Sequence, residues 1–221
     1  MTTAKKPRVP RGPNAERRAA TRAKIMDATV RCLAEFGYAA TSTPLVARMA
    51  KVSRGSLLHQ FPTKIDLMLA VAEHASRVRG ATVREFLTPY PDGPDRFLQG
   101  VEAVWASLQR VEAIALMEVT VAARSDKELA ARYPEFAVDL NALLHRARER
   151  MAENLGIPER REEIDTLAHL TRAALEGLAM TSVFIGRPTD DALKVVALLK
   201  QMRQQVVDGL AAKAKAKAAG S

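Results

Sequence analysis

TSTPLVARMAKVSRGSLLHQFPTK, residues 41–64, carries two short helix signatures end to end. Thr41, Ser42 and Thr43 offer hydroxyls as N-caps, and Pro44 suits a first turn whose N–H groups lack intrahelical partners. A helix is predicted from there to about Ala50. Ser53 offers a second cap, Arg54 to Phe61 form a helix of barely two turns, and Pro62 ends it. Thr63 restarts the chain as a longer helix through Lys64, Leu67, Val71 and His74. Upstream, Ile25, Ala28, Cys32, Leu33 and Phe36 recur at intervals of three and four, which marks a helix from Arg17 buried on one face, with Gly37 as its left-handed stop. Three closely spaced helices with a tight junction between the last two describe a helix-turn-helix with a supporting first helix.

Charge points the same way. Residues 1–64 carry +10 and residues 65–210 carry −4, within a total of +9. One end therefore seeks polyanions and the middle does not. With 221 residues, 48% apolar and only 5% aromatic, the chain can build a real core, and its Ala, Leu, Arg and Glu favour helix. We expect an all-α protein. Cys32 is the single cysteine, so no intrachain disulfide or cysteine-based zinc site can form. The basic start, followed by Pro, Gly and Arg, does not read as a secretory signal, and no apolar run approaches the roughly 18 residues of a membrane span. These features predict a cytoplasmic protein with no membrane partner and no cofactor.

The ordered string Phe36-Gly37-Tyr38, Thr41-Ser42, Val46-Ala47, Val52-Ser53-Arg54-Gly55-Ser56-Leu57, His59, Phe61 and Lys64 with Leu67 resembles the DNA-binding segment of the TetR/AcrR family of bacterial transcriptional repressors. The motif covers about a quarter of the chain; overall length and helical character also suit the family's ligand-binding domain, with less specificity. Two positions depart from the family pattern. Lys51 stands where the family usually has Gly, and must take a left-handed conformation at about 1 kcal/mol. Leu58 stands where the family usually has Tyr, so a hydroxyl aimed at a phosphate is missing.

On residue chemistry, Val46, Ala50, Val52, Leu57 and Phe61 pack the small core, and Ala47 lets the two short helices approach closely. Arg54, Ser56, His59 and Gln60 are left facing outward, able to reach base edges or phosphates in a major groove. Plain solvent-facing surface is the other reading. Ser53 and Thr63 cap helices whose positive ends can face the phosphate backbone. The resemblance makes Thr41, Ser42 and Lys64 backbone clamps. The candidate DNA-binding set is thus Thr41, Ser42, Thr43, Ser53, Arg54, Gly55, Ser56, Leu58, His59, Gln60 and Lys64. Lys5, Lys6, Arg8 and Arg11 add minor-groove or phosphate affinity, or serve as a solubilising tail.

Four segments are expected: a flexible basic arm (1–15), the helix-turn-helix domain (16–64), a helical ligand-binding and dimerisation domain (65–210) and a disordered Lys/Ala tail (211–221). Breaks at Pro89 to Pro94, Ser125-Asp126, Gly156-Ile157-Pro158 and Gly186-Arg187-Pro188 divide the third segment into five or six helices. The helix over 162–185 has two apolar faces. Ile164, Leu167, Thr171, Ala174, Leu178 and Ile185 form one; Leu170, Ala173, Gly177, Met180 and Phe184 form the other, where Ala173 and Gly177 permit close helix approach. One face can fill its own core and the other needs a partner. The helix over 190–210 is similarly broad.

In TetR-like proteins the last two long helices of each subunit form a four-helix dimer interface, and Leu175-Glu176-Gly177-Leu178 resembles a stretch common there. The resemblance therefore implies a homodimer, with Leu167, Thr171, Ala174, Leu178, Leu193 and Val196 as interface candidates. Two recognition helices about 34 Å apart would then read a palindromic double-stranded DNA operator. Trp105, Leu108, Met117, Phe136, Leu140 and Leu143 can line an apolar cavity for a small hydrophobic or amphipathic effector, with His145, His169 and Arg172 as polar anchors; otherwise they are core. The helix starting at Thr63 and Lys64 is the expected lever between effector and DNA.

A ligand-released repressor is the expected function. An enzyme is disfavoured, because no nucleophile elbow, phosphate-cradling glycine loop or metal-ligand spacing occurs and His59, His74, His145 and His169 are scattered. The alternative is a non-specific basic nucleic-acid-binding helical protein without an inducer.

Overall fold

Every regular element among the described residues is a helix. The computed structural model describes residues 13–185 and 190–219, with side chains for 14–181 and 190–210. The order is α1 (Pro13–Ala40), α2 (Thr43–Met49), α3 (Arg54–Gln60), α4 (Lys64–Phe86), α5 (Pro94–Leu108), α6 (Val111–Ala122), α7 (Lys127–Asn154), a 3-10 turn (Pro158–Arg160), α8 (Arg161–Ile185) and α9 (Asp190–Ala219). Residues 1–12, with the arm's lysines and arginines, and the Gly186-Arg187-Pro188 break lie outside the described residues. Residues 13–15, expected in the arm, are already helical.

Local chemistry accounts for the boundaries. Ser42 caps α2 and Ser53 caps α3, each accepting a backbone N–H from the first turn. Thr63 and Asp66 form a reciprocal capping box on α4. Asp126 caps α7 through the N–H groups of Glu128 and Leu129. Lys51 takes the left-handed conformation expected of it, at φ 55°. A break without Gly or Pro, at Gln109-Arg110, separates α5 from α6 and was not foreseen from the sequence. Residues 211–219, expected to be disordered, continue α9, because alternating Ala and Lys are strong helix formers. Pro134 lies inside α7 and has no N–H to return to the carbonyl of Ala130.

One apolar core joins the helix-turn-helix to the helices that follow. Ile25, Leu33, Val46, Leu57 and Phe61 are continuous with Ile65, Met68 and Val71 of α4, with Leu116 and Val119 of α6, and with Leu129 of α7. The segment boundary expected at residue 64 is therefore not a gap in packing. Two further clusters bind α5, α8 and α9 together, one around Val101, Leu175 and Leu199, the other around Phe97, Ile164 and Val206.

This packing corrects the expected dimer residues. Leu167, Thr171 and Val196 are buried within the chain, and Ala174 and Leu178 are half-buried against the same core. Of the six, only Leu193 is well exposed, at 57%. With α5 and α9 covering the Ile164 side of α8, the uncovered face is the other one, with Leu170, Ala173, Gly177 and Met180, flanked by Leu193, Ala197 and Leu198 of α9. No helix among the described residues is long and apolar enough to cross a membrane.

Arg203 of α9 is 2% exposed; among the described residues its guanidinium donates to the Phe97 carbonyl, lies 4.7 Å from the Phe97 ring centroid and packs over Gly100, and its Nε has no partner. Burial pushes its pKa down to about 10. A buried charge without a counter-ion is costly, so replacement by an apolar side chain of similar length relieves the penalty. Arg203→Met is expected to hold or raise the urea midpoint, whereas Leu67→Ala, which empties a fully buried site, lowers stability by about 2–5 kcal/mol.

Candidate nucleic-acid interface

The α2–turn–α3 unit presents its polar face because its apolar face is fully engaged. Val46 and Leu57 are completely buried, Phe61 is nearly so, and Val52 N–H donates to the Ala47 carbonyl at 3.0 Å to close the turn. Arg22 of α1 lies 4.3 Å over the Phe61 ring. What remains outside is Ser42, Ser53, Arg54, Gly55, Leu58 and His59, all exposed, with Thr43 and Ser56 partly so. A Cβ added at Gly55 would meet nothing within 4 Å, so the chain's own packing does not require glycine there. Gln60 is half turned away, its amide donating to the Arg18 carbonyl at 3.4 Å. Arg48 and Lys51 are also exposed beside this face and extend its cationic rim. Sequence reasoning passed over Arg48 and read Lys51 only as a turn residue, although their position flanking the turn was readable.

Two expected clamps are internal instead. Thr41 is fully buried, and its hydroxyl donates to the Gly37 carbonyl at 2.7 Å. Lys64 directs its ammonium inward, donating to the Tyr38 carbonyl at 3.0 Å and lying 4.1 Å over the Tyr38 ring. Burial pushes the Lys64 pKa down. Both are struts behind the interface, with their polar atoms already engaged.

Those struts belong to a junction that the sequence did not reveal. Gly37, at φ 73°, breaks α1 and turns the Tyr38 N–H onto the Glu118 carboxylate at 2.9 Å. The Tyr38 phenol donates to Asp126 at 2.6 Å, and Arg132 of α7 pairs with Asp66 at 2.8 Å. The first turn of α4 and the end of α1 are thereby tied to α6 and α7.

Behind this junction lies a half-open cavity of about 400 Å³ lined by residues of α4 to α8, with Val121, Asn141 and Met180 exposed at its rim. Leu108, Met117, Leu140 and Arg172, all singled out in the sequence, line it. Phe136 and Leu143 line a neighbouring groove between α4 and α7 instead, and Trp105 packs against the α5–α8–α9 core. His145 and His169 are exposed beside Glu149 and Asp165 and are not among the lining residues, so they are not its anchors. The polar groups found there are Arg79, Tyr133, Thr120, Asn141 and Glu176. Arg79 had a sequence signal: it continues the buried stripe Ile65, Met68, Ala72 and Ala75 at helical spacing.

Residues 25–71 match the family described as "Bacterial regulatory proteins, tetR family". An uncharacterised HTH-type transcriptional regulator of Mycobacterium tuberculosis strain H37Rv is 26% identical over 178 residues, 78% of this chain and 88% of that one. The HTH-type transcriptional regulator CymR of Pseudomonas putida is 44% identical over 59 residues, 27% of this chain and 29% of that one. A crystal structure of a transcriptional regulator from Rhodococcus sp. Rha1 superposes with a TM-score of 0.64 at 20% identity, covering 85% of this chain and 96% of that one, and so shares the fold.

The junction makes stability depend on acid. The Arg132 guanidinium holds Asp66, and the Tyr38 phenol holds Asp126, below the usual carboxylate range. Such carboxylates contribute stability that is complete above their unfolded values near pH 4 and is lost as pH falls through the depressed folded values. Tyr38→Phe is expected to cost about 1.5 kcal/mol at pH 7 in urea unfolding. That difference should shrink towards zero in strong acid, where Asp126 is protonated.

Proposed function

We propose, on the match of residues 25–71 to the TetR family of bacterial regulatory proteins, that the chain is a regulator of that family, a repressor that binds a palindromic operator as a two-fold dimer and releases it on binding a small effector. The observation that carries the DNA reading is the outward face of α3, where Arg54, Gly55 and His59 are exposed while Leu57 behind them is fully buried. A short helix presented this way fits a major groove. Arg can pair with guanine edges, and Gly55 leaves room for close approach to the duplex. Ser42, Thr43 and Ser53 lie beside it, where they can position the backbone while α3 selects the sequence.

One copy of α3 reads only a half-site. The uncovered face of α8 and α9, with Leu170, Ala173, Gly177, Leu193 and Ala197, supplies small residues for close helix approach and apolar residues to bury. A dimer formed there would offer two α3 helices to successive major grooves about 34 Å apart.

Release would run through α4. An occupant of the cavity touches Arg79 near the far end of α4, while Asp66 at its start is held by Arg132 and Lys64 holds Tyr38. An effector that binds better to a dimer whose α3 helices no longer match the groove spacing lowers operator affinity by its differential affinity for the two geometries.

Selection of bound duplex from a random pool tests the reading. A two-fold symmetric motif preferred about 10³-fold or more over bulk DNA supports it, and binding that collapses with salt without preference supports the non-specific alternative. Arg54→Ala is expected to weaken the selected site by about tenfold to a hundredfold and bulk DNA much less. Gly177→Arg, at a position with open space around it, should give a folded monomer by light scattering with operator affinity reduced at least tenfold.

A further inference from the structure

The cavity is mainly apolar, with Thr120, Tyr133 and Asn141 in its wall, and at one place three charged side chains meet. Glu176 of α8 holds two guanidiniums on one oxygen, Arg172 at 3.0 Å through Nε and Arg79 at 3.5 Å through Nη2. Two cations against one anion leave an excess positive charge on the wall of a largely apolar, half-open cavity. Arg79 is deeply embedded, its side chain 17% exposed, and its Nε has no hydrogen-bond partner. Arg172 has no hydrogen bond among the described residues beyond the one to Glu176. Donors left open and a charge left uncompensated are what a bound anion would satisfy. Tyr133, whose phenol feels both Arg172 and Glu176 and shares a 2.7 Å hydrogen bond with Thr120, adds a hydroxyl in the same region.

We infer that the ligand of this cavity is an amphipathic monocarboxylic acid, its carboxylate received by Arg79 and Arg172 and its apolar body lying among Leu108, Ile114, Met117, Val121 and Leu140. Planar guanidinium forks match a carboxylate geometrically as well as electrostatically. A cationic amphiphile would need Glu176, and both arginines already occupy the Glu176 oxygen that faces them. A wholly apolar ligand would leave the second positive charge at Glu176 unanswered. At roughly 30 Å³ per water, about 400 Å³ is some thirteen water volumes, room for a ligand of about a dozen non-hydrogen atoms. The inference rests on the reading of this cavity as the effector site and names the chemistry that site selects.

The test uses the full chain without DNA and three probes of matched size: 4-phenylbutyrate, its neutral amide and 4-phenylbutylamine. By titration calorimetry the carboxylate is expected to bind at least tenfold more tightly than the amide, and the amine no more tightly than the amide. Arg79→Gln and Arg172→Gln should each narrow the gap to less than threefold. Met117→Trp, which fills the cavity, should abolish binding of all three. The inference is overturned if the amine equals or exceeds the carboxylate, if none of the three binds, or if the gap survives both arginine substitutions. The wild-type comparison decides alone should either arginine variant fail to fold. Operator release is scored separately. Carboxylate binding without release overturns the effector mechanism and leaves the ligand class standing, whereas release by the amine alone overturns the ligand class and leaves the mechanism.

Discussion

At Gly37 the chain takes a left-handed step that no residue with a side chain would take without strain, and the junction between the N-terminal helices and the remainder is built on it. A Cβ there would also lie 3.2 Å from the Glu118 carboxylate, so the position is constrained by backbone angle and by proximity together. The step delivers the Tyr38 N–H to Glu118, its phenol to Asp126 and its carbonyl to Lys64. Without those three bonds α3 would still have its own small core, but its orientation against α6 and α7 would rest on the single Arg132–Asp66 pair and on apolar contact, which is strong and poorly directional. Polar bonds supply the direction.

Much of the DNA-binding face was legible because its signals are local. Caps at Ser42, Ser53 and Thr63, prolines at 44 and 62, and the left-handed Lys51 each act within a few residues, and the helices begin and end where those residues place them. The Tyr38 junction was not legible, because its partners lie 80 and 88 residues away and nothing at position 38 announces them. Thr41 misled for a related reason: a hydroxyl near a helix start reads equally as cap, clamp or internal strut, and only burial decides.

The dimer candidates on α8 fell on the face that the chain itself covers, and the reason is degeneracy. Both faces carry apolar residues at helical spacing, and periodicity cannot say which of them α5 and α9 cover. The cavity was half legible. Leu108, Met117 and Leu140 were found as apolar residues, whereas Arg79 went unnoticed although a cation on the buried stripe of α4 is the kind of inconsistency that marks a functional position. Composition likewise pointed to a disordered end after residue 210, where intrinsic helix preference prevails.

Pro134 gives the bundle one seam. Beside Tyr133 in the cavity wall, α7 lacks a rung of its backbone ladder, so the carbonyl of Ala130 must find its partner elsewhere. A helix missing one rung separates there more readily than along its intact turns. Any widening of that wall would therefore start beside Tyr133, so the plasticity of the pocket is written into α7 as much as into the side chains that line it.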